Sequence, residues 1–274
     1  MQALPFVFAL VVAIVLVPLV RNRLVEAGLE RENYRGRRLP VPIGVAIVPA
    51  ALIALIPIAL LARLSAADVF PRDLSLVIAF IPGVALLGFV DDVLAGSSRG
   101  FRGHASAAIK GSFSSGLLKA LGTLGLALLV ASSLPGSDSE FLLATAVLVL
   151  ATNAFNLLDL RPGRAVKTFL LLALCLTVAT QITEPLKALG LFIGPMLVCA
   201  WYDLREKAML GDAGSNVIGA MAGVLIVLTL DTGEQVVALV VLVIINLYGE
   251  FRSISTVIEK VPGLRHLDSL GRPS

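Results

Sequence analysis

Residues 74–92 read LSLVIAFIPGVALLGFVDD, an apolar run that ends in two adjacent aspartates. A membrane-spanning helix needs roughly 17 to 25 largely apolar residues, and residues 74–90 carry no charged side chain. This stretch is therefore predicted to cross a membrane, with Asp91 and Asp92 at the point where the helix leaves the apolar layer.

The composition of the whole chain extends this prediction. Of its 274 residues, 57% are hydrophobic and 15% are charged, with a mean hydropathy of +0.94, which excludes a water-soluble protein of this length. Comparable apolar runs occur at residues 5–20, 41–62, 74–90, 117–133, 141–158, 166–182, 186–201, 216–230 and 236–248. We predict an all-α polytopic membrane protein with about nine transmembrane helices in one domain, residues 1–274, in which residues 251–274 form a short amphipathic tail.

Polar stretches follow the first, third, fifth, seventh and ninth of these runs, so all five fall on the same side of the membrane if each run is a span. They are residues 21–38, 91–110, 153–167, 202–215 and the tail from residue 250. With their flanks, they hold every lysine and arginine except Arg63, Arg72 and Lys187. Because Lys and Arg concentrate in short cytoplasmic loops, the polar face is predicted to be cytoplasmic, at the plasma (inner) membrane, with the N-terminus outside and the C-terminus inside.

Disulfides, zinc binding and nucleic-acid binding find no support in the sequence. Cys175 and Cys199 lie inside predicted spans and form no Cys-x-x-Cys pair, which argues against a disulfide framework and against a zinc site. The cations are not interleaved with aromatic residues, so nucleic acid is not expected as a partner. Membrane lipids with anionic headgroups and phosphorylated substrates suit the excess of positive charge better.

The acid pair Asp91-Asp92 has two interpretations. In the structural interpretation the two acids have no function and simply mark the entrance to a loop. Adjacent carboxylates are unfavourable toward the dipole at a helix C-terminus, but solvent at a loop entrance would reduce that cost. The functional interpretation is a site for Mg²⁺, which proteins bind with one or two carboxylates together with substrate phosphates. Adjacent helical side chains point about 100° apart, so one acid could hold the metal while the other meets the nucleophile.

A second motif, Asn153-Ala-Phe-Asn156-Leu-Leu-Asp159, repeats a polar residue every three positions. On a helix these side chains share one face. Polar residues at the end of a span either line a cavity or bind a neighbouring helix. Helix packing therefore stays open here beside the binding of a nucleotide sugar or of a metal's outer shell.

The third motif, Leu210-Gly211-Asp212-Ala-Gly214-Ser215, precedes the eighth apolar run. A turn with an N-cap explains it, and the same geometry aims backbone N–H groups at an anion such as a diphosphate. By contrast, the Gly-x-x-x-Gly spacings at residues 190/194 and 219/223 are more typical of helix packing than of chemistry.

Together the three motifs, in this order and on one membrane face, resemble the polyprenyl-phosphate N-acetylhexosamine-1-phosphate transferase superfamily, of which this chain would be a divergent member. The resemblance covers most of the chain and implies that Asp91, Asp92 and Asp212 are catalytic acids, with Asp92 and Asp212 holding Mg²⁺, or Mn²⁺ as the alternative. The second motif would bind the nucleotide sugar. The implied reaction moves a sugar-1-phosphate of N-acetylhexosamine type from a UDP-sugar to membrane polyprenyl (undecaprenyl) phosphate, with release of UMP, in cell-envelope glycan synthesis.

The second motif also departs from this family. Members usually continue it as Gly-x-Asp-Gly-Leu-Ala, whereas residues 160–165 read LRPGRA, so that Pro162 replaces an acid. Arg161 and Arg164 lie in the same segment and could bind additional phosphate or carboxylate by bidentate pairing. The histidine-rich motif of the muramoyl-pentapeptide branch is missing, since the chain has two histidines in all.

Further cations are candidates for contact with substrate phosphate. Positive-inside residues of no other function would look the same in sequence. The candidates are Arg102, His104 and Lys110 in the second polar stretch, and Arg35, Arg37 and Arg38 in the first. His104 stands out among them because it adds a proton-transfer group close to the acid pair.

Two other functions stay open. An intramembrane aspartyl protease pairs Tyr-Asp with Gly-x-Gly-Asp, which Tyr202-Asp203 and Leu210-Gly211-Asp212 partly match, although here both acids fall in one loop. The acid pair of such a protease needs no metal. A non-catalytic polyprenyl-phosphate binding or transport protein would keep the fold without the chemistry, and Pro162 favours it. The glycine-rich helix faces also permit a homodimer.

Overall fold

The computed structural model describes residues 2–65, 68–94 and 114–273 of the chain. This part folds into eleven α-helices, one short 3₁₀-helix and one β-hairpin. The helices are α1 (Leu4–Glu26), α2 (Ile47–Ser65), α3 (Leu74–Leu94), α4 (Ser115–Ala131), α5 (Asp138–Leu158), α6 (Arg164–Thr180), α7 (Glu184–Leu204), α8 (Gly211–Thr229), α9 (Thr232–Phe251), α10 (Ile254–Lys260) and α11 (Pro262–Ser269). Strands β1 (Glu30–Glu32) and β2 (Arg38–Pro40) pair antiparallel, and the 3₁₀-helix Ile43–Ala46 runs from them into α2.

Each of the nine predicted apolar runs coincides with a helix between α1 and α9. Within the described residues, seven helical units are long and apolar enough to cross a membrane: α1, the continuous unit 43–65, α3, α5, α7, α8 and α9. Helices α4 and α6 have 17 residues each, which at 1.5 Å per residue corresponds to about 25 Å. The prediction of an all-α, multi-pass membrane protein is confirmed.

Helix α8 lies at the centre of the bundle. Every residue of α8 from Ala213 to Ile226 is buried, and the helix packs against α3, α5 and α6. The outer helices keep large apolar side chains exposed, such as Ile14 in α1 and Ile244 in α9. Such side chains suit contact with lipid tails, which are as apolar as leucine.

Small residues allow close approach between the helices. A Cβ placed on Gly219 would lie 2.7 Å from the Cα of Thr152 in α5, and one on Gly194 would lie 2.8 Å from the carbonyl oxygen of Phe6 in α1. The other glycine of each pair faces the same neighbouring helix at 3.1 Å. The interpretation of both Gly-x-x-x-Gly spacings as helix packing is therefore confirmed.

The β-hairpin is attached to the turn that precedes α8. Met209 N–H donates to the carbonyl oxygen of Pro40 at 2.9 Å. Gly44 N–H, in the 3₁₀-helix, donates to the carbonyl oxygen of Leu210 at 3.0 Å. A glycine is required at position 44, since an added Cβ would lie 2.2 Å from the Cα of Gly214. The hairpin is thereby held beside the start of α8.

We expect Gly88→Ala to destabilise the protein, because α3 touches α8 at this glycine. An added Cβ would lie 2.5 Å from the carbonyl oxygen of Asp212, and overpacking of this kind costs about 1–3 kcal/mol. The measurement is the midpoint of thermal unfolding in detergent. Gly125→Ala is the matched control, because its added Cβ meets no atom within 4 Å and alanine favours a helix over glycine. Equal midpoints for the two variants would contradict the close packing of α3 on α8.

Candidate active site at one end of the bundle

The described parts of all five polar stretches meet at one end of the bundle. This agrees with the prediction that they share one face of the membrane. The contacts that join them are Tyr34 with Glu206 (2.9 Å), Asp92 with Ala213 (2.8 Å), Ser215 with Asn156 (3.0 Å), and Arg164 with Asp268 (2.8 Å).

A lysine lies between two aspartates at the centre of this end. Lys119 Nζ is 2.7 Å from Asp91 Oδ2 and 2.5 Å from Asp212 Oδ2. Three helices, α3, α4 and α8, supply one of these residues each. Hydrogen bonds between charged groups are roughly twice as strong as neutral ones, so these contacts tie the three helices together. We call Asp91, Lys119 and Asp212 the acid–lysine cluster.

Lys119 is not among the predicted site residues, because a lysine near the end of a span is also expected from the positive-inside rule. Its helix, α4, reads SGLLKALGTLGLALLVA, and every other side chain in it is uncharged. An ionisable residue inside an apolar span indicates a functional site by default. That signal could have identified Lys119 from the sequence.

The acid–lysine cluster has an excess of negative charge, with two carboxylates against one ammonium. Both carboxylates converge on a single cationic atom, so oxygen ligands for a hard cation such as Mg²⁺ are present. Within residues 2–65, 68–94 and 114–273, no group of three or more His, Cys, Asp or Glu side chains could hold a metal. The two carboxylates of the cluster fit an ion that completes its shell with water and phosphate oxygens, as Mg²⁺ usually does.

Asp92 makes different contacts from its neighbour in sequence. Its Oδ2 accepts the N–H of Ala213 at 2.8 Å, in the first turn of α8, where the helix dipole favours a carboxylate. The guanidinium of Arg31 in β1 donates to the main-chain oxygen of Asp92 and lies 3.8 Å from its Oδ1. Asp91 shares a cation with Asp212, whereas Asp92 faces Ala213 and Arg31, because adjacent side chains leave a helix in different directions. Metal binding by Asp92 and Asp212 stays a prediction.

Asn156 joins the second motif to the acid–lysine cluster. In the amide orientation that satisfies both of its ends, Nδ2 donates to Ser215 Oγ (3.0 Å) and to Asp212 Oδ1 (3.1 Å), while Oδ1 accepts from Lys119 Nζ (3.1 Å). The amide therefore holds the Asp212 carboxylate on the side that faces Lys119. The structure brings this predicted site residue into direct contact with the acids.

The other two residues of the second motif make different contacts. Asn153 Nδ2 donates to Asn246 Oδ1 at 2.6 Å, which joins α5 to α9 and matches the packing interpretation. Asp159 follows the last residue of α5. Desolvation, and then the negative charge of Asp203, raise the pKa of the Asp159 carboxyl well above its ordinary value. The substrate-binding role of Asn153 and Asp159 stays a prediction.

The C-terminal tail engages both predicted arginines of the second motif. Arg164 is buried and binds Asp268 through two bonds, Nε to Oδ1 (2.8 Å) and Nη2 to Oδ2 (3.1 Å). Arg161 pairs with Glu259 at 2.5 Å, and its guanidinium carbon lies 4.6 Å from the ring centroid of Tyr34. The bidentate carboxylate pairing predicted for this segment is therefore observed at Arg164, with the tail as the partner.

The tail is fixed over the segment that contains Pro162. Arg272 Nε donates to the carbonyl oxygen of Pro162 at 2.9 Å, and Lys167 Nζ donates to the carbonyl oxygen of Asp268 at 2.5 Å. Burial favours the protonated form of Asp268, but hydrogen bonds from Arg164 and Arg272 outweigh it and lower the pKa of this carboxyl. Asp268 is therefore the charged anchor of the tail.

We expect Asp268→Asn to release the tail from the bundle. The neutral amide would leave the buried guanidinium of Arg164 without a counter-charge, and breaking a buried pair in this way costs about 3–5 kcal/mol. Trypsin should then cleave after Arg265 at least roughly tenfold faster than in the wild-type protein, because cleavage follows the population of the open form. Glu259→Gln, which breaks the more exposed pair with Arg161, is the matched control and should be cleaved at the wild-type rate. Unchanged cleavage of Asp268→Asn would contradict the anchor.

Of the other predicted phosphate-binding cations, the structure describes those of the first polar stretch. Arg35 and Arg37 contact the buried carboxylate of Glu206 at 3.3 and 3.4 Å, so they dock the hairpin on the turn after α7. Arg38 lies in β2. The remaining candidates lie outside the described residues, and their role stays a prediction; they are Arg102, His104 and Lys110.

Asp203 and Asp212 have separate partners. Asp203 is buried and accepts the backbone N–H groups of Gly163, at 2.5 Å, and of Leu210. Asp212 instead contacts Lys119. An aspartyl protease needs two carboxylates that share one proton at about 3 Å. The contacts of these two acids therefore do not favour the protease interpretation.

The family model of glycosyl transferase family 4 matches residues 74–230. This region exceeds half of the chain and contains Asp91, Lys119, Asn156 and Asp212. No curated protein matches the chain. The matched region runs from α3 to α8 and so includes all the helices that build the acid–lysine cluster.

Proposed function

Because this chain belongs to glycosyl transferase family 4, we propose that it transfers a sugar-1-phosphate from a UDP-sugar to membrane polyprenyl phosphate and releases UMP. At the level of the family, it is a polyprenyl-phosphate sugar-1-phosphate transferase. The observation that carries the proposal is the acid–lysine cluster at one end of the bundle. We propose an N-acetylhexosamine donor, undecaprenyl phosphate as the acceptor, and a product used in cell-envelope glycan synthesis.

In the proposed reaction, an oxygen of the lipid phosphate attacks the β-phosphorus of the UDP-sugar. The bond between that phosphorus and the bridging oxygen of the diphosphate breaks, and UMP leaves with the electron pair. The product is a polyprenyl diphospho-sugar. Both substrates are anions, and the transition state spreads negative charge over the phosphoryl oxygens. The site therefore has to supply positive charge beside its acids.

Lys119 supplies one such charge. Its ammonium has three N–H donors, of which two bind the carboxylates of Asp91 and Asp212. The longer contact with the Asn156 amide, at 3.1 Å, can give way to a phosphate oxygen. We propose that Lys119 binds substrate phosphate in this way while the acids hold its ammonium in place.

We assign the metal site to Asp91 and Asp212, whose carboxylates each have a second oxygen beside the one that contacts Lys119. When bound, Mg²⁺ would neutralise charge on the diphosphate oxygens, and Mn²⁺ suits the same oxygen ligands. Asp92 is proposed as a positioning residue, since its hydrogen bond to Ala213 fixes the first turn of α8. Asp212 lies in that turn.

The carboxylates have to orient the acceptor more than they have to deprotonate it. A phosphate monoester has a second pKa of about 6, so the lipid phosphate is largely a dianion near neutral pH. Orientation by Asp91 or Asp92 then requires a cation between each acid and the phosphate. Lys119 and Arg31 lie next to these acids and can provide such contacts.

We expect Asp91→Asn to raise the Mg²⁺ concentration needed for half-maximal UMP release by about tenfold or more, because changes around a metal site weaken its affinity by this amount. Asp92→Asn should lower turnover with little change in that concentration, since it loosens the start of α8 instead. The measurement is a Mg²⁺ titration of both variants beside the wild-type protein. The opposite pattern would return the metal to Asp92.

We also propose that the acid–lysine cluster faces the cytoplasm at the plasma membrane. The distribution of charge supports this orientation, because Arg63, Arg72 and Lys187 are the lysines and arginines assigned to the opposite face. The N-terminus would then lie outside and the C-terminal tail inside.

The proposed function is tested by UMP release from detergent-purified protein, supplied with undecaprenyl phosphate, Mg²⁺ and a panel of UDP-sugars. Release that requires lipid, metal and Asp212 supports the transferase and identifies the donor. Binding of the lipid phosphate without turnover of any donor contradicts the proposal. A non-catalytic carrier would then be favoured. Pro162, which replaces an acid usual in the family, agrees with that role, and so does the pairing of Arg164 with Asp268 of the tail.

A further inference from the structure

Helices α1 and α7 lie side by side and leave a groove on the outer surface of the bundle. The groove has a volume of about 370 Å³ and is lined by Leu10, Ile14, Leu197, Val198, Trp201 and Tyr202. This lining is apolar apart from the tips of the two aromatic side chains. Ile14 and Trp201 are 58% and 47% exposed, so the groove opens towards lipid rather than into the bundle.

Two cations lie at one end of this groove. Lys207 Nζ is 4.2 Å from the ring centroid of Trp201, in the geometry of a cation–π contact. Arg21 Nε donates to the main-chain oxygen of Lys207 at 3.1 Å. Trp201 is near the C-terminal end of α7, and Lys207 follows in the connection to α8. The charged end of the groove is therefore the end of the bundle that carries the polar stretches.

Neither of these cations is neutralised by an acid in the part of the chain that the structure describes. The contacts of Arg21 are with the oxygen of Lys207 and with Oδ1 of Asn22, and the ammonium of Lys207 faces the indole ring. By contrast, Arg23 on the same helix pairs with Glu26 at 2.7 Å. Arg21 and Lys207 thus leave a positive potential at the end of an apolar groove.

We propose that the groove between α1 and α7 binds an anionic glycerophospholipid, with an acyl chain along the apolar lining and the phosphate at Arg21 and Lys207. Charge complementarity selects the headgroup, since each Lys or Arg near the membrane surface strengthens binding of an anionic lipid by roughly fivefold. Trp201 suits this position because tryptophan prefers the boundary between acyl chains and headgroups.

A bilayer phospholipid fits this groove better than the polyprenyl acceptor does. The acceptor has to bring its phosphate to the acid–lysine cluster, whose residues come from α3, α4 and α8. The groove is formed by α1 and α7 instead. A lipid in it would have its phosphate at Arg21 and Lys207, and not at the acid–lysine cluster. The proposed lipid site is therefore distinct from the site of the proposed transferase reaction.

A lipid bound here would restrain the connection between α7 and α8. Lys207 N–H donates to the carbonyl oxygen of Tyr202, and two residues later Met209 N–H donates to Pro40, each at 2.9 Å. This connection leads directly into the turn of α8 that contains Asp212. A phosphate held at Lys207 would therefore steady the start of α8 from the lipid side.

Trp201 provides the test, because it is the single tryptophan of the chain and its fluorescence reports on the groove. The full-length protein is reconstituted into phosphatidylcholine vesicles with increasing fractions of brominated phosphatidylglycerol or, in parallel, of brominated phosphatidylcholine. Bromine on an acyl chain in the groove quenches the tryptophan. We expect brominated phosphatidylglycerol to reach half-maximal quenching at a mole fraction roughly 25-fold lower, from roughly fivefold per cation.

The double variant Arg21→Gln/Lys207→Gln should be quenched equally by both lipids. Arg23→Gln, which removes a cation already paired on the same helix, should keep the preference. Comparing the two lipids within each variant cancels any change in brightness when Lys207 is replaced. Equal quenching in the wild-type protein, or a preference that survives in the double variant, would overturn the proposal. Displacement of the brominated phospholipid by a lower mole fraction of undecaprenyl phosphate would overturn it as well, by assigning the groove to the acceptor.

Discussion

Asp212→Asn is expected to lower the turnover of UMP release by about 10²- to 10³-fold, the usual loss when one preorganised electrostatic group is removed from an active site. The Asp212 carboxylate contacts Lys119 at 2.5 Å and the Asn156 amide at 3.1 Å. Asparagine has nearly the same size, so the substitution changes the charge of the acid–lysine cluster more than its shape. The rate is measured at saturating Mg²⁺ and donor, so that weaker metal binding does not explain the loss.

Asp231→Asn is the matched control for this variant. Asp231 lies at the opposite end of the bundle, where its side chain caps α9 by accepting the N–H of Glu234 at 2.8 Å. Asparagine caps a helix about as well as aspartate does, so this variant should keep wild-type activity. Wild-type turnover in Asp212→Asn would contradict a part for this acid in the chemistry.

Lys119→Met is expected to lower the free energy of unfolding by about 3 kcal/mol. Removal of one partner from a buried ion pair costs about 3–5 kcal/mol, because it leaves an uncompensated charge. The Asp212 side chain is 31% exposed, and solvent screening places the cost at the lower end of that range. Here the substitution leaves Asp91 and Asp212 facing each other without the cation between them. The measurement is a denaturant titration in detergent, whose midpoint and slope give the free energy of unfolding.

Mg²⁺ provides a second test of the same explanation. An ion held by Asp91 and Asp212 would restore the missing positive charge, so Mg²⁺ should raise the unfolding midpoint of Lys119→Met more than that of the wild-type protein. Lys187→Met is the matched control, because Lys187 pairs with Glu184 at 2.6 Å at the opposite end of the bundle, and an exposed pair contributes about 0–1 kcal/mol. Equal destabilisation by the two lysine substitutions would show that charge does not hold the cluster together.

The nine apolar runs could be predicted because length and hydropathy decide whether a segment can cross a bilayer. Asp91 and Asp212 could be predicted for a related reason, since acids at the ends of such runs are costly unless they have a use. That these two acids meet at Lys119 could not be predicted from the sequence. It depends on how α3, α4 and α8 pack, and the close approach at Gly88 that permits it exists only in three dimensions.

The arginines show why the rest of the site was harder to predict. A guanidinium that already pairs with a carboxylate looks the same in sequence as one that awaits a phosphate. Arg164 finds Asp268, which is 104 residues away in the chain, and no local pattern connects positions so distant. Arg35 and Arg37 likewise meet Glu206 only because the hairpin folds back onto the turn after α7.

Helix α8 can take its place only after the helices around it exist. It is less apolar than α1 and α2 and almost wholly covered by protein, so it gains little from lipid and depends on α3, α5 and α6, which are synthesised before it. Until α8 emerges from the ribosome, Asp91 and Lys119 lack their third partner, Asp212. We therefore expect the acid–lysine cluster to be completed in one late step of biogenesis rather than helix by helix, with the space that α8 will fill shielded until then by the insertion machinery.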